Sequence, residues 1–252
     1  MPRSANYTAG FRWQLEWRIS LFTALLVPLF VGLGFWQLAR AEEKQLINMR
    51  WEARQAEPAL AFAALPDSAT ALAYQQVLLQ GSFLPKRNFL LDNRIRQGRY
   101  GVEVIAAFRE ASTGKLLLLN RGWIEADPGR RQLPVIPVPP QGMQLQGYVY
   151  VPPGESYTLG QLSTGEDWPR LVQAIDTEGL GAMLDEAVFP FTIRLGVDSP
   201  AALLADWPLV NTLPEKHQAY ALQWFAMALA LSVLFIWRSS NIGALLKPRA
   251  QA

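Results

Sequence analysis

ISLFTALLVPLFVGLGFWQLA, residues 19–39, is an uncharged run of 21 residues held between Arg18 and Arg40. A helix needs about 20 such residues to cross the hydrocarbon of a bilayer. A second uncharged run, QAYALQWFAMALALSVLFIW at 218–237, stops at Arg238. The pair predicts a membrane protein anchored near both ends. On this reading 1–18 is a tail, 19–39 the first transmembrane helix, 40–217 a water-facing domain, 218–237 the second transmembrane helix and 238–252 a second tail. The insert is long enough for one domain with a real core.

Charge orients the scheme. The tails carry Arg3, Arg12, Arg18, Arg238, Lys247 and Arg249 against one acid, Glu16, whereas the middle carries 17 Lys and Arg against 20 Asp and Glu. Short basic flanks stay on the cytoplasmic side. Both termini are therefore expected in the cytoplasm and the domain outside it, in the periplasm of a bacterial inner membrane. Ala39-Arg40-Ala41 resembles a signal-peptide cleavage site only faintly. The apolar run also exceeds the usual length of about 7–15 residues, so a retained anchor is expected. The basic balance comes from the tails, and no basic stripe with interleaved aromatics points to nucleic acid.

Composition excludes whole classes of chemistry. With no cysteine there are no disulfides, thiolate nucleophiles or Cys-based zinc sites. A single histidine rules out a multi-histidine metal site within one chain. No P-loop, GxSxG, GxGxxG or HExxH occurs, so no enzyme is expected. The carboxylate pairs Glu166-Asp167 and Asp185-Glu186 are adjacent in sequence and do not aim at one point on a helix or strand.

Between the spans, residues 40–57 continue as a helical stalk that ends at Pro58, with Leu46, Met49 and Trp51 as candidates for its buried side. Apolar, turn-punctuated segments then read as strands: 74–83, 87–93, 101–108, 115–124, 145–152 and 189–197. They predict a mainly β (α+β) domain, an antiparallel sandwich or barrel-like. Thr113-Gly114 is expected to turn a hairpin, the five prolines of 127–141 mark a loop, and 173–186 is helix-like but broken by Gly179 and Gly181.

His217 is the one candidate ligand. At helical spacing Tyr220, Ala221 and Trp224 follow it along one face. A neutral imidazole there has two readings: a ligand to haem iron, or an interfacial side chain whose polar tip reaches for water. Gln37 and Gln223, inside the two spans, read first as polar glue between helices and second as groups facing a ligand. Arg40 and Lys44 read as snorkelling anchors or as partners for carboxylates. Arg94, Arg96 and Arg99 form a small basic cluster on a turn, and Arg121-Gly122-Trp123 has the composition of a packing motif.

Several blocks together resemble the surfeit locus protein one family of cytochrome c oxidase assembly factors. They are Gly34-Phe35-Trp36-Gln37-Leu38-Ala39-Arg40 with Lys44, Gly81-Ser82-Phe83, Leu91-Asp92-Asn93-Arg94, Leu119-Asn120-Arg121-Gly122-Trp123-Ile124, Trp168-Pro169-Arg170 with Val172-Gln173, and His217 to Phe225. The resemblance implies a non-enzymatic chaperone of respiratory-chain biogenesis that binds haem a transiently. It further implies delivery of the haem to oxidase subunit I, with haem a synthase as a candidate second partner. It makes His217 the iron ligand. A mechanism consistent with that ligand has the haem enter edge-on between the spans near Trp36, Tyr220 and Trp224, with Arg40 or Lys44 meeting the propionates. Many members have asparagine or histidine before this histidine, whereas here Lys216 stands there. The rival expectation is a cofactor-free scaffold in which Trp36, Gln37, Gln223 and Trp224 form a groove for a partner helix.

Overall fold

The first apolar run and the stalk form one uninterrupted helix, α1 (Trp17–Ala56), which passes through Pro28 without a break. At about 1.5 Å per residue its 40 residues measure roughly 60 Å, about twice the thickness of a bilayer core. The structure, a computed structural model, describes residues 11–152, 163–164, 167–207 and 213–242. Glu166 and the tail residues Arg3, Lys247 and Arg249 lie outside the described residues.

Two compact units divide the chain. Residues 11–48 with 213–242 form the helical unit and residues 49–207 the sheet unit. In the helical unit α1 meets the closing helix of the chain, which spans Pro214–Arg238 with proline in its first turn. Both helices have the length and hydropathy of membrane spans, and only 11% of each apolar window is buried. A core helix of a water-soluble protein would be mostly covered, so these surfaces call for an apolar surrounding.

At one end of this pair the flanking segments join. Gln14 N–H donates to Ser239 O at 2.7 Å, Asn241 N–H donates to Arg12 O at 3.2 Å, and Arg12 N–H donates to the Asn241 side chain at 2.8 Å. The start of α1 and the end of the closing helix are thus neighbours, and the two helices run antiparallel.

The sheet unit takes the last turns of α1. Trp51 packs edge-on against Tyr74 and Tyr148, and Arg54 donates to Gln75 Oε1, Ala71 O and Glu57. Of the three stalk residues expected to be buried, only Trp51 is covered in this way; Leu46 and Met49 are exposed. Strand β1 (Leu60–Ala61), a 3-10 turn (Phe62–Ala64) and the short helix α2 (Ala69–Leu72) lead into the sheet. Its other strands are β2 (Gln76–Leu79), β3 (Gly81–Arg96), β4 (Arg99–Glu110), β5 (Leu116–Glu125), β6 (Leu145–Tyr150), β7 (Ser163–Thr164), β8 (Arg170–Val172) and β9 (Thr192–Leu195). Helix α3 (Thr177–Ala182) precedes β9, and Pro214–Arg238 is α4.

The strands make one nine-stranded sheet in the order β1-β2-β6-β9-β5-β4-β3-β8-β7. This corrects the expected antiparallel sandwich or barrel. The sheet is mixed, with parallel pairing of β1 to β2, β3 to β8 and β5 to β9, and no pairing among the described residues closes β1 onto β7. The reason lies in connectivity: β9 enters between β6 and β5 from a long excursion, a placement that no local turn dictates. β5 sits centrally and is covered on both faces. Leu117 and Leu119 join one apolar cluster while Leu118 joins another, which is why this strand reads as a run of leucines rather than an alternation.

The segment expected as a single strand at 74–83 is two. β2 pairs with β6, whereas β3 pairs with β4. The change of partner falls at Gly81, whose φ is +155°, and where a Cβ would lie 2.0 Å from the Arg109 carbonyl. Thr113-Gly114 does turn the β4–β5 hairpin, with Glu110 accepting from the Ser112 and Thr113 hydroxyls and the Thr113 amide. The two glycines of 173–186 lie inside α3 instead of breaking it.

Asp92 anchors the bulged middle of β3. Its carboxylate accepts from the Tyr100 hydroxyl, from the Asn93 amide at 2.6 Å and from Arg130 at 3.0–3.1 Å. Burial alone would push this carboxyl up; the three hydrogen bonds and the Arg130 charge outweigh it and hold it below its ordinary value. A depressed folded value contributes stability that is present above the unfolded value of about 3.9 and is lost as the pH falls through the folded one. Asp92→Asn is expected to cost about 2 kcal/mol at pH 7, the scale of a hydrogen-bonded charge. Thermal melts of the two proteins should converge below about pH 4. A gap that persists unchanged at pH 3 would contradict this origin.

Candidate functional site

His217 lies in the first turns of α4, half-buried. Its Nδ1 is 2.7 Å from Gln37 Oε1, across a separation of 180 residues. This is the ring's one hydrogen bond among the described residues, so Nε2 is unengaged. The sequence reading put Gln37 first as a generic interhelical contact. The structure gives it a specific partner, the only histidine of the chain. Gln223 is exposed and does not share the contact.

Close approach of the helices makes the pairing reachable. Gly34 stands one turn before Gln37, and a Cβ there would lie 2.5 Å from the Phe225 ring. Phe225 is flanked in turn by Phe35, ring centroids 5.3 Å apart. Ala221 and Ala228 are the buried small residues of α4, as expected where helix backbones approach. Gly34→Val should therefore wedge the pair apart at a cost of about 1–3 kcal/mol. The readout is a lower midpoint for loss of helical circular dichroism in a detergent-denaturation titration. An unchanged midpoint would show that Phe225 simply swings aside.

The other expected site residues divide. Trp224 packs on Phe30 at 5.6 Å, so it belongs partly to helix packing. Tyr220 and Trp36 are each about half exposed. Arg40 lies over the Trp36 ring at 5.9 Å and donates to Glu43 at 2.6 Å, while Lys44 is 3.6 Å from the same carboxylate. The Arg40 hydrogen bond, helped by both positive charges against a weaker effect of burial, holds the Glu43 carboxyl below its ordinary value. Both candidate cations thus share one acid. Of the adjacent acids Glu42 and Glu43, it is Glu43 that makes these contacts among the described residues.

Elsewhere the candidates resolve into structure. Arg94, Arg96 and Arg99 are separately paired, with Glu103, Asp206 and Glu125, and make no free basic patch. Glu186 is held by Arg109 in an ion pair. No group of three or more His, Cys, Asp or Glu able to hold a metal occurs among the described residues. A cavity of about 280 Å³ is lined mainly by apolar side chains, among them Phe62, Leu65, Phe189 and Phe191, with Asp67, Thr113 and Lys115 as its polar members, and the Thr113 hydroxyl is engaged by Glu110 in the hairpin turn. A largely buried polar row escaped sequence reading: Gln76, Tyr148 and Asn120, all buried, and the half-buried Arg194 fall in register across β2, β6, β9 and β5. Arg194 is stacked on Tyr150 and Trp207, at 3.5 and 4.8 Å. Only the pairing of distant strands creates that row.

These features define a class: two long apolar helices flanking a mainly β domain, with the sole imidazole bonded between the helices. The chain belongs to the SURF1 family, whose family model matches residues 24–229. It is 26% identical to a SURF1-like protein of Rickettsia felis over 231 residues, 89% of this chain and 98% of that one. A SURF1-like protein of Rickettsia conorii is also 26% identical, over 88% of this chain and 92% of its own length. A SURF1-like protein of Monosiga brevicollis reaches 32% identity over a shorter stretch, 44% of this chain and 48% of its own.

Proposed function

We propose that this chain is a membrane-anchored assembly factor for cytochrome c oxidase that binds haem a through His217 and passes it toward subunit I. The observation that carries the reading is the single half-buried imidazole, with one ring nitrogen held and the other without a partner among the described residues, at the start of an apolar helix. That is the donor set of one axial iron ligand. One ligand suits cargo that must leave again. Trp36, Tyr220 and Trp224 would supply apolar ring surface, and Arg40 or Lys44 would exchange part of its contact with Glu43 for a propionate. The two helices would cross the bacterial inner membrane, with both termini cytoplasmic and residues 40–217 periplasmic. The joined tail segments and the basic flanks support that topology. The chain would act as a carrier and not as an enzyme, with haem a synthase as a candidate donor.

The test is to purify the full chain in mild detergent from cells that make haem a, then record its absorbance spectrum and any co-purifying subunit I. The expected result is a haem a spectrum together with the subunit. The sharing of Glu43 by Arg40 and Lys44 favours a second reading, since neither cation stands ready for a propionate. A colourless protein that still brings subunit I with it would establish that cofactor-free scaffold and remove the haem reading.

A further inference from the structure

We infer that Gln37 is the positioning residue that fixes the tautomer of His217, holding the proton on Nδ1 and the lone pair on Nε2. The inference deepens the haem-binding reading and rests on it for its purpose, but not for its geometry. Gln37 Oε1 lies 2.7 Å from His217 Nδ1, within ordinary hydrogen-bond range. An amide oxygen can only accept, so Nδ1–H donates to it. A neutral imidazole carries one proton, so a donating Nδ1 leaves Nε2 as a bare lone pair. A metal needs that lone pair, and the partner of the other nitrogen decides where it sits.

Three features make Gln37 a device and not a chance neighbour. It is the one hydrogen-bond partner of the ring among the described residues. It sits near the end of an uncharged run, three residues before Arg40, and both it and His217 are half-buried, which partly shields their contact from water. It also lies one turn from Gly34, the point of close approach that sets the helix spacing against Phe225. Opposite assignment of the amide, with its nitrogen donating to Nδ1, would place the proton on Nε2 and block the metal-binding position. The tautomer is therefore the observable that decides the matter.

The chain has a single histidine, so histidine-selective nitrogen-15 labelling gives one imidazole to observe in the full chain. At pH 8 and without haem, the wild type should show the Nδ1–H tautomer. Gln37→Leu should move the population toward Nε2–H, and Gln37→Glu, which keeps an acceptor, should restore Nδ1–H. A wild type protonated on Nε2, or a Gln37→Leu spectrum identical to wild type, overturns the inference. A second readout is affinity for haem a added to the purified protein. Gln37→Leu should weaken it about 10–100-fold, the effect of losing a group that orients a ligating histidine. Recovery in Gln37→Glu is expected; loss of helical circular dichroism in Gln37→Leu, with no recovery in Gln37→Glu, would reduce Gln37 to helix adhesion. The tautomer measurement needs no haem, so unaltered haem binding by His217→Ala would sink the haem reading and leave the Gln37 contact standing.

Discussion

His217→Ala is expected to yield a folded, colourless protein. The side chain contributes one hydrogen bond between helices, worth about 0.6–1 kcal/mol in a membrane setting. α4 keeps its proline at the first turn and its packing through Ala221, Phe225 and Ala228. Helical circular dichroism should therefore be unchanged. On the proposed reading His217 is the iron ligand, and removing a ligand must cost more than removing a residue that merely orients one, so affinity for haem a should fall more than about 100-fold. Imidazole added to the variant should restore the spectrum, because the vacated side chain leaves room for the same donor and Gln37 remains to orient it. The measurement is an absorbance titration of wild type and variant with haem a, with and without imidazole. A variant that binds haem as the wild type does would eliminate His217 as the ligand.

Much of the architecture was legible because it is written in runs of residues. The uncharged stretches 19–39 and 218–237 announce helices α1 and α4, and the leucines of 116–119 announce a strand. Thr113-Gly114 announces its hairpin because the left-handed φ of +70° at Gly114 is a local demand that glycine meets. What stayed hidden depends on partners far along the chain. Nothing near Tyr74–Phe83 marks the switch of β2 to β6 and of β3 to β4, since the strand-like composition runs straight through Gly81. The insertion of β9 between β6 and β5 makes the sheet mixed, and β9 has only four residues in which to signal it. The candidate site divides in the same way. His217 could be singled out by being unique, and Gln37 by being polar in an apolar run. Their union spans 180 residues and exists only once the helices are packed.

Arg121→Ala should be the most damaging change in the sheet unit. Arg121 lies on β5, 2% exposed, with Nε donating to Ala201 O and Nη1 to Pro137 O, both at 2.9 Å. Its guanidinium also lies 5.7 Å from the Phe83 ring. No carboxylate pairs with it among the described residues, and burial pulls its guanidinium down to about 10, so it stays charged at neutral pH. Two effects oppose each other in the variant. Removing the buried charge recovers a desolvation cost of about 3 kcal/mol. Truncation leaves a cavity worth about 3–5 kcal/mol and two carbonyls without donors, at about 1–3 kcal/mol each. The losses win, by about 2–8 kcal/mol, which for a unit of this size lowers the melting temperature by about 5 °C or more. Arg121→Met keeps most of the volume and still sheds the charge, so it should lose less than half as much. The proline-rich loop gives a local readout. Pro137 is released in both variants, so trypsin should cut faster beside the half-exposed to exposed Arg130 and Arg131. An Arg121→Ala protein that melts within about 3 °C of wild type, with unaltered cleavage there, would show that the two carbonyls find other donors and that Arg121 does not hold the loop to the sheet.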